Sequence, residues 1–316
     1  MGRGGIRVSN ITLRQIRYFA VLSSTLQYRR AAQQLGISQP SLSLQIAALE
    51  EALGARLIER KRSGLILTPT GREAAAQAER VLREVDRLVH VAGPSRSEMS
   101  GTLRLGSSPT IGPYLLPRVL RQLHQSYPDL KLVIRDSTPK ELVEDLIAGR
   151  HDMILTQLPV PGDNLRLRTL FREPLSLAVA REHPLAERKQ AVRADLSGES
   201  LLSLSPAFAL HTQVTGLGVD TGATLRNDFE GTSLDALRQM VSLGMGVTLL
   251  PALYVRSEVN LRDPDVSVLD LRPPLYRQIG LAWRAASGEP PAFARFADLI
   301  RDVVRAEFAA EVTLTS

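Results

Sequence analysis

The 316-residue chain contains no cysteine. This absence excludes disulfide bonds, zinc sites with thiolate ligands and thiol nucleophiles, and it leaves the redox compartment undetermined. Histidines are few and scattered, at positions 90, 124, 151, 183 and 211, and none has the spacing to carboxylates that a metal site needs. Neither a G-x-S-x-G motif nor a phosphate-binding loop is present. We therefore expect neither an enzyme nor a bound metal or cofactor.

Long hydrophobic runs are also missing. No stretch approaches the ~18 consecutive apolar residues of a membrane-spanning helix. The start, MGRGGIRVSN, lacks the apolar segment of a secretion signal. An apolar content of 44% and a charged content of 23% are typical of a globular chain with two or three cores. We expect a cytoplasmic protein.

Positive charge is concentrated in the first third of the chain. The net charge is +6, and residues 1–95 hold 14 lysines and arginines against seven acidic residues, so the remainder is close to neutral. A basic segment attached to a near-neutral body is typical of a polyanion-binding module joined to a second domain. On charge alone, a basic surface that serves only solubility stays open as an alternative.

Three short helices are predicted in the basic segment. Thr12 is suited to cap the first, which runs to about Ser24. The second covers residues 28–35, and the third begins at Ser38 with a proline in its first turn. A short helix, a glycine-containing turn and a further helix form the pattern of a helix-turn-helix.

The third helix has two different faces. Its core-facing seam is apolar and consists of Leu42, Ile46, Leu49 and Leu53. The opposite face is small and uncharged and carries Pro40, Ser41, Ser43, Leu44 and Ala47. A face packed on protein would be apolar throughout, and a purely solvated face would carry Glu and Lys. This face is therefore suited to the major groove of DNA.

A β-hairpin with a basic tip is predicted next. Two apolar arms flank three consecutive cations, Arg60, Lys61 and Arg62. Such a tip is suited to contact DNA phosphates as a wing. Taken alone, a solvated loop is the alternative, and the adjacent helix pair favours the wing.

A long helix is predicted from Thr70 to Ala92. Its apolar residues recur every three or four positions, at Ala74, Ala78, Val81, Val85, Leu88 and Ala92. Packing on its own core is one explanation, and a heptad seam over three repeats favours a partner helix. We expect a dimer, because helix-turn-helix proteins pair to read two half-sites.

The rest of the chain alternates between strands and helices. Strand-like segments at 102–107, 131–136 and 152–156 are separated by amphipathic helices. A second unit of this kind covers 175–277 and includes the strand LSLAVA, the helix SLDALRQMVSLG and the strand GVTLLP. The chain then returns to the first lobe with the strand IGLAWR and a final helix from Pro291 to about Ala310. This order indicates parallel sheets in two α/β lobes, with a ligand cleft at the carboxyl ends of strands.

The predicted domains follow from these patterns. They are a winged helix-turn-helix at 1–68, a linker or dimerisation helix at 69–95, a hinge at 96–101 and an effector domain at 102–316, with lobe one at 102–174 plus 278–316 and lobe two at 175–277.

The stretches LRQIRYFAVL, AAQQLGISQPSLSLQIAALEEALGARLIER and LTPTG resemble the LysR-type transcriptional regulators. The resemblance implies a winged helix-turn-helix, a dimerisation helix and a two-lobed effector domain like a periplasmic binding protein. It implies groove-reading roles for Ser38, Gln39, Pro40, Ser41 and Gln45, and phosphate contacts for Arg29, Arg30, Arg60 and Arg62. Leu44 departs from the family pattern, since many relatives have arginine there, and a leucine is able to contact a thymine methyl.

The effector half resembles the OxyR subgroup of hydrogen-peroxide-responsive regulators. The similar stretches are PTIGPYLLP, FEGTSLDALRQMVSLGMGVTLLPAL and IGLAWR. The resemblance places the peroxidatic cysteine position at Ala209, the resolving position near Gly218 and the preceding histidine position at Phe208. Alanine has no nucleophile to attack the O–O bond. The chain is then either an engineered cysteine-to-alanine variant locked in the reduced form or a natural relative that senses something else.

The same resemblance implies a peroxide pocket. Thr110 and Thr138 would line it from lobe one, and the loop 205–211 and Asp228 would close it from lobe two. The alternative for Thr110 is a purely structural cap on the helix that starts near Gly112.

We therefore expect a promoter-binding transcriptional activator that assembles as a homodimer or homotetramer and acts on RNA polymerase. Its effector domain is of the oxidative-stress sensor type in a reduced-state form. A LysR-type regulator that binds a small organic effector non-covalently is the main alternative. A nucleoid-type structural DNA binder would not need residues 102–316, and an enzyme would need catalytic groups that the sequence lacks.

Overall fold

The computed structural model describes residues 11–61, 64–92, 99–226, 231, 233–259 and 265–315. The chain divides into two compact units, Met1–Pro94 and Ser95–Ser316. Within the described ranges, no helix combines the length and the apolar character needed to cross a membrane.

The first unit consists of helices and one hairpin. Its elements in chain order are α1 (Leu13–Thr25), α2 (Tyr28–Leu35), α3 (Gln39–Leu53), β1 (Ile58–Lys61), β2 (Gly64–Leu67) and α4 (Pro69–Ala92). Thr12 forms a capping box with Gln15 at the start of α1. Gly36 and Gly54 adopt the left-handed conformation that ends α2 and α3. The predicted winged helix-turn-helix is confirmed.

The core of this unit joins α1, α3 and α4. Tyr18, Phe19 and Leu22 of α1 pack in one cluster with the predicted α3 seam, in which Leu42, Ile46 and Leu49 are buried. Close packing also anchors the start of α4. A Cβ atom on Gly71 would lie 2.0 Å from the Leu57 carbonyl oxygen, so only glycine fits there. Beside it, the Gly71 amide donates to the Thr68 hydroxyl at 2.8 Å.

The second unit is a mixed α/β fold. Its elements are β3 (Gly101–Ser107), α5 (Gly112–Ser126), β4 (Leu130–Asp136), α6 (Pro139–Ile147), β5 (Met153–Leu158), β6 (Leu165–Ala180), β7 (Gln190–Val192), β8 (Ser200–Leu201), α7 (Ala209–Thr221), β9 (Thr224–Leu225), α8 (Leu234–Ser242), β10 (Thr248–Pro251), α9 (Ala252–Tyr254), β11 (Val266–Arg272), β12 (Leu275–Arg284), α10 (Pro291–Glu307) and β13 (Thr313–Leu314).

One large sheet runs through both lobes. Its strand order is β4-β3-β5-β12-β6-β11-β7, and β10 and β13 also pair with β6. The strands β4, β3 and β5 are parallel, as the sequence predicts. The strands β12, β10 and β11 are antiparallel to β6, so the large sheet is mixed. Lobe two also contains the parallel pairs β7–β11 and β8–β9, so the expected parallel pairing is present there beside antiparallel strands. Antiparallel pairing arises because β6 and β12 cross between the lobes instead of alternating with helices.

Each lobe has its own core. In lobe one, α5 and α10 pack on the sheet and bury Phe296 and the single tryptophan, Trp283. In lobe two, α8 packs on β6, β10 and β11, and α7 packs on β9 and contributes Leu210, Val214 and Leu217 to the same core. The predicted lobe boundaries at 174/175 and 277/278 fall inside β6 and β12. Both strands therefore contribute residues to both lobes.

The helix α7 is absent from the sequence-based prediction. The segment expected as a loop at 205–211 enters the first turn of α7 at Ala209, with Phe208 at the N-cap position. The final helix ends at Glu307, three residues short of the expected end. Residues 96–98 of the predicted hinge at 96–101 lie outside the described residues.

Candidate functional site

The helix α3 carries the residues that the sequence predicts to read the groove. Ser38 caps it and accepts a hydrogen bond from the Ser41 amide at 3.3 Å. Ser38, Gln39 and Pro40 are exposed, and Ser41 and Gln45 are half-buried at the edge of the same face. Four of these five predicted residues lie at the N-terminal end of α3, from the N-cap Ser38 to Ser41, and Gln45 lies about one turn further on. Their contacts with bases stay a prediction.

Two cations lie on the preceding helix. Arg29 and Arg30 occupy the first turn of α2, and both are exposed. The backbone of Arg60 belongs to β1, and its side chain lies outside the described part. Arg62 lies outside the described residues. The structure thus places two of the four predicted phosphate contacts on a surface that solvent reaches.

A carboxylate that the sequence reasoning missed connects α3 to the hairpin. Glu50 Oε1 accepts hydrogen bonds from the amides of Leu57 at 2.7 Å and Ile58 at 3.1 Å. These amides begin the first arm of the wing, so Glu50 fixes the wing against α3. In the sequence, only its position near the end of a helix that precedes a hairpin points to this contact. That indication is weak, because an acidic residue near a helix end is usually only solvated.

The heptad seam of α4 divides into two parts. Ala78 is buried in the unit's own core, which corrects its assignment to a partner interface. Further along, Val81 is 40% exposed and Leu88 is 67% exposed, with Val85 half-buried between them. Exposed apolar side chains at heptad spacing are typical of a helix that pairs with another helix. The second half of α4 thus carries the exposed part of the seam, and its pairing with a second copy stays a prediction.

The predicted effector residue Thr110 lies at the carboxyl end of β3, just before α5. Its side chain is almost fully buried, and Arg277 Nη1 donates to its hydroxyl at 2.9 Å. Arg277 Nη2 donates to the Thr110 carbonyl at 2.9 Å, and Ser108 Oγ lies 3.1 Å from the Thr110 hydroxyl. The N-cap of α5 is Ile111, so the cap alternative for Thr110 is wrong. With two partners, the hydroxyl has one hydrogen-bonding position left for a ligand.

Arg277 belongs to a buried ion pair. Its Nε donates to Glu173 Oε2 at 2.8 Å, and neither side chain is exposed. The other carboxylate oxygen of Glu173 accepts from the Leu253 amide at 2.8 Å. Glu173 lies on β6 and Arg277 on β12, and through this pair the crossing strands hold Thr110 and α9. Neither residue is predicted as part of the site from the sequence.

The second predicted threonine has a structural role. Thr138 caps α6 in a capping box, and its hydroxyl donates to the Glu141 carboxylate at 2.9 Å. Hydrogen bonds from the hydroxyls of Ser137 and Thr138 hold the pKa of Glu141 below its ordinary value. A ligand at Thr138 would have to share this hydroxyl with the cap.

Two of the positions that the family resemblance assigns to redox chemistry lie at the start of α7, and the third, near Gly218, lies in its last turn. Phe208 is buried in the lobe-two core, and Ala209 is half-buried in the first turn. His211 Nδ1 lies 2.8 Å from the Leu204 carbonyl and is engaged there. Asp228 lies outside the described residues. In the described part of the chain, no cluster of His, Asp and Glu has the geometry of a metal site.

A polar contact joins the two lobes next to this turn. Gln157 of β5 donates to the Gln213 side chain at 2.9 Å, and Gln213 donates to the Tyr276 carbonyl at 2.9 Å. Gln213 lies one turn after Ala209 on α7. The helix that begins at the redox position is therefore held to both β5 and β12.

Comparisons with known proteins agree with this architecture. Residues 13–72 match the bacterial regulatory helix-turn-helix protein model of the lysR family, and residues 96–305 match the LysR substrate binding domain. The DNA-binding transcriptional dual regulator OxyR of Escherichia coli K12 is 38% identical over 291 residues, which cover 92% of this chain and 95% of the relative.

Solved structures of full-length relatives are also similar. A full-length Pseudomonas aeruginosa OxyR with a cysteine-to-aspartate substitution matches with a TM-score of 0.72 and 31% identity, covering 92% of this chain and 97% of the other. A peroxide-bound cysteine-to-serine variant of Corynebacterium glutamicum OxyR matches with a TM-score of 0.64 and 30% identity, covering 95% and 96%. The chain belongs to the LysR family of DNA-binding transcriptional regulators, and the curated relatives that it resembles are regulators and not enzymes.

Proposed function

We propose that this chain is a promoter-binding transcriptional activator of the OxyR type in which sensing by thiol oxidation is lost. The observation that carries the proposal is the pairing of an OxyR-like two-unit architecture with a complete lack of cysteine. Whichever residue occupies the redox position, no thiol exists anywhere in the chain to reduce peroxide. The protein is in effect a reduced-state form of such a regulator.

The DNA-binding part of the proposal rests on α3 and α2. Gln39 and Gln45 read base edges in the major groove, and Arg29 and Arg30 contact phosphates, as do Arg60 and Arg62 of the wing. Two copies pair through the exposed seam of α4 and present two reading helices to paired half-sites. The protein works in the cytoplasm on promoter DNA and recruits RNA polymerase, as a homodimer or homotetramer.

The effector part of the proposal is a ligand site in the cleft that the sequence predicts between the lobes. A ligand there contacts Thr110 and Thr138 from lobe one and the Phe208–Ala209 turn and Asp228 from lobe two. Because no thiolate is present, the ligand is held only by non-covalent contacts. This observation favours a second candidate within the same family, a regulator whose natural ligand is a small organic effector.

The test is a footprint of the purified full-length protein on DNA upstream of its own gene, with and without hydrogen peroxide. We expect the protected region to be the same in both conditions. A footprint that changes with peroxide would show that redox sensing persists and would contradict the proposal.

The roles on the DNA are tested by substitution. Gln39→Ala and Gln45→Ala should relax sequence preference, whereas Arg29→Ala and Arg30→Ala should weaken binding to all duplexes by similar factors. Arg188→Ala is a matched control, because Arg188 is an exposed arginine of the effector unit. If the control and the α2 variants bind alike, the phosphate contacts are assigned to the wrong residues.

A further inference from the structure

One large apolar side chain of the first unit is exposed where its neighbours are polar or small. Leu44 is 70% exposed in the middle of α3, on the face opposite the buried residues Leu42 and Ile46. Exposing a leucine forfeits the stabilisation that burial of its side chain would give. Its position on the only face of α3 that is free of the core suggests contact with another molecule.

Leu44 lies in an uncharged strip along the helix. Pro40, Ala47 and Ala48 stand three or four positions from Leu44, and all three are exposed. We call these four residues the Leu44 strip. Residues three and four apart are neighbours on a helix surface, so the strip is continuous. The first charged side chain towards the end of α3 is Glu50, which is engaged with the hairpin amides.

The surroundings of the strip favour a polyanion over a protein. Arg29 and Arg30 are exposed on the adjacent helix, and residues 1–95 carry twice as many basic as acidic residues, 14 against seven. Small residues on both sides of Leu44 allow the helix backbone to approach closely, as the major groove requires. On the base edges of that groove, the apolar group is the C5 methyl of thymine.

We infer that Leu44 is a specificity-determining residue that selects a thymine in each half-site by contact with its C5 methyl group. A leucine side chain forms no hydrogen bond with the polar edges of guanine, adenine or cytosine. Where it displaces water from those edges, their polar groups lose a hydrogen-bond partner. This inference rests on the proposed DNA-binding function. It adds to that function one recognised group, the C5 methyl of a thymine.

The experiment begins with the full-length protein and a library of random duplexes, from which bound sequences are selected. Each thymine in the selected site is then replaced singly by deoxyuridine, which differs only in lacking the methyl group. Affinity is measured by fluorescence anisotropy for the wild type, Leu44→Ala and Leu243→Ala. Leu243 is the matched control, because it is 76% exposed but belongs to the effector unit.

We expect one thymine per half-site at which loss of the methyl weakens wild-type binding about fourfold, the worth of one buried methylene-sized group. Leu44→Ala should bind thymine and uracil duplexes equally, and Leu243→Ala should keep the fourfold difference. Because Leu44 is exposed, its replacement leaves the core of the unit intact, and circular dichroism will confirm this.

Three results would overturn the inference. The first is unchanged wild-type affinity after uracil substitution at every position, and the second is a Leu44→Ala variant that keeps the discrimination. The third is a Leu44→Ala variant that changes only the oligomeric state in sedimentation, which would assign the strip to a protein contact. Failure to select any duplex would overturn the proposed function itself, and that result is distinct from selection without a methyl effect.

Discussion

Removal of the Glu173 charge tests whether the buried ion pair organises the effector unit. In Glu173→Gln the shape of the side chain and an acceptor for the Leu253 amide are kept. The guanidinium of Arg277 then stays buried without a counter-charge, since neither side chain of the pair is exposed in the wild type. We expect the variant to lose stability through this unpaired charge.

The magnitude follows from the degree of burial. Breaking a fully buried pair by removing one partner costs about 3–5 kcal/mol of unfolding free energy. The Arg277 bonds to Thr110 persist in the variant, so the loss should lie in the lower part of that range. A double replacement, Glu173→Leu with Arg277→Met, removes both charges and should be more stable than Glu173→Gln alone.

The assay is urea unfolding of the full-length protein followed by tryptophan fluorescence. Trp283 is the single tryptophan and is buried in the lobe-one core, so its signal reports the effector unit without interference from the DNA-binding unit. The control is Glu289→Gln, which breaks the exposed ion pair with Arg166 and should cost less than about 1 kcal/mol. Equal effects of Glu173→Gln and the control would refute the reasoning.

Three further predictions concern other parts of the molecule. Gly71→Ala should lower the stability of the DNA-binding unit by about 1–3 kcal/mol, measured by thermal unfolding, because its methyl overlaps the Leu57 carbonyl; an unchanged midpoint would exclude that packing. Leu88→Asp should weaken dimerisation in analytical ultracentrifugation, and unaltered association would assign the dimer to another surface. Burial lowers the pKa of His151 in the folded protein, and nearby Asp145 partly offsets this effect. As the pH falls, this histidine is therefore protonated in the unfolded state before it is protonated in the folded state. The stability of lobe one should therefore fall as pH drops below about 6.5, whereas His151→Leu should show a smaller fall, as urea unfolding at several pH values will measure.

Local signals were sufficient for the DNA-binding unit. The bounds predicted for α2 from Gly36 agree with the structure, and the spacing of Leu42, Ile46 and Leu49 identified the buried face of α3. These features depend on caps and periodicity within a dozen residues. The link between Glu50 and the wing was beyond such reasoning, because it depends on how the hairpin folds back against the helix.

The effector unit was less predictable for physical reasons. The helix α7 contains Gly216 and Gly218, which disfavour a helix. Its amphipathic pattern is weak because exposed positions such as Gly216 and Val219 are small or apolar instead of charged. Only about the last third of β6 was predicted. In its first part, arginines alternate with other residues and Pro174 interrupts the pattern, so no continuous apolar run marks a strand there. The Arg277–Glu173 pair joins residues 104 positions apart, and no local pattern indicates a contact of that separation.

The lack of charge along the reading face of α3 has a consequence for how ionic strength acts on the protein. Counterions released on DNA binding come from phosphates neutralised by arginines, and none of these arginines lies between Gln39 and Ala48. Added salt should therefore weaken binding to target and random duplexes by similar factors. The ratio between the two affinities should stay nearly constant. In a cell under osmotic stress, the protein would therefore occupy fewer DNA sites without changing which sites it prefers.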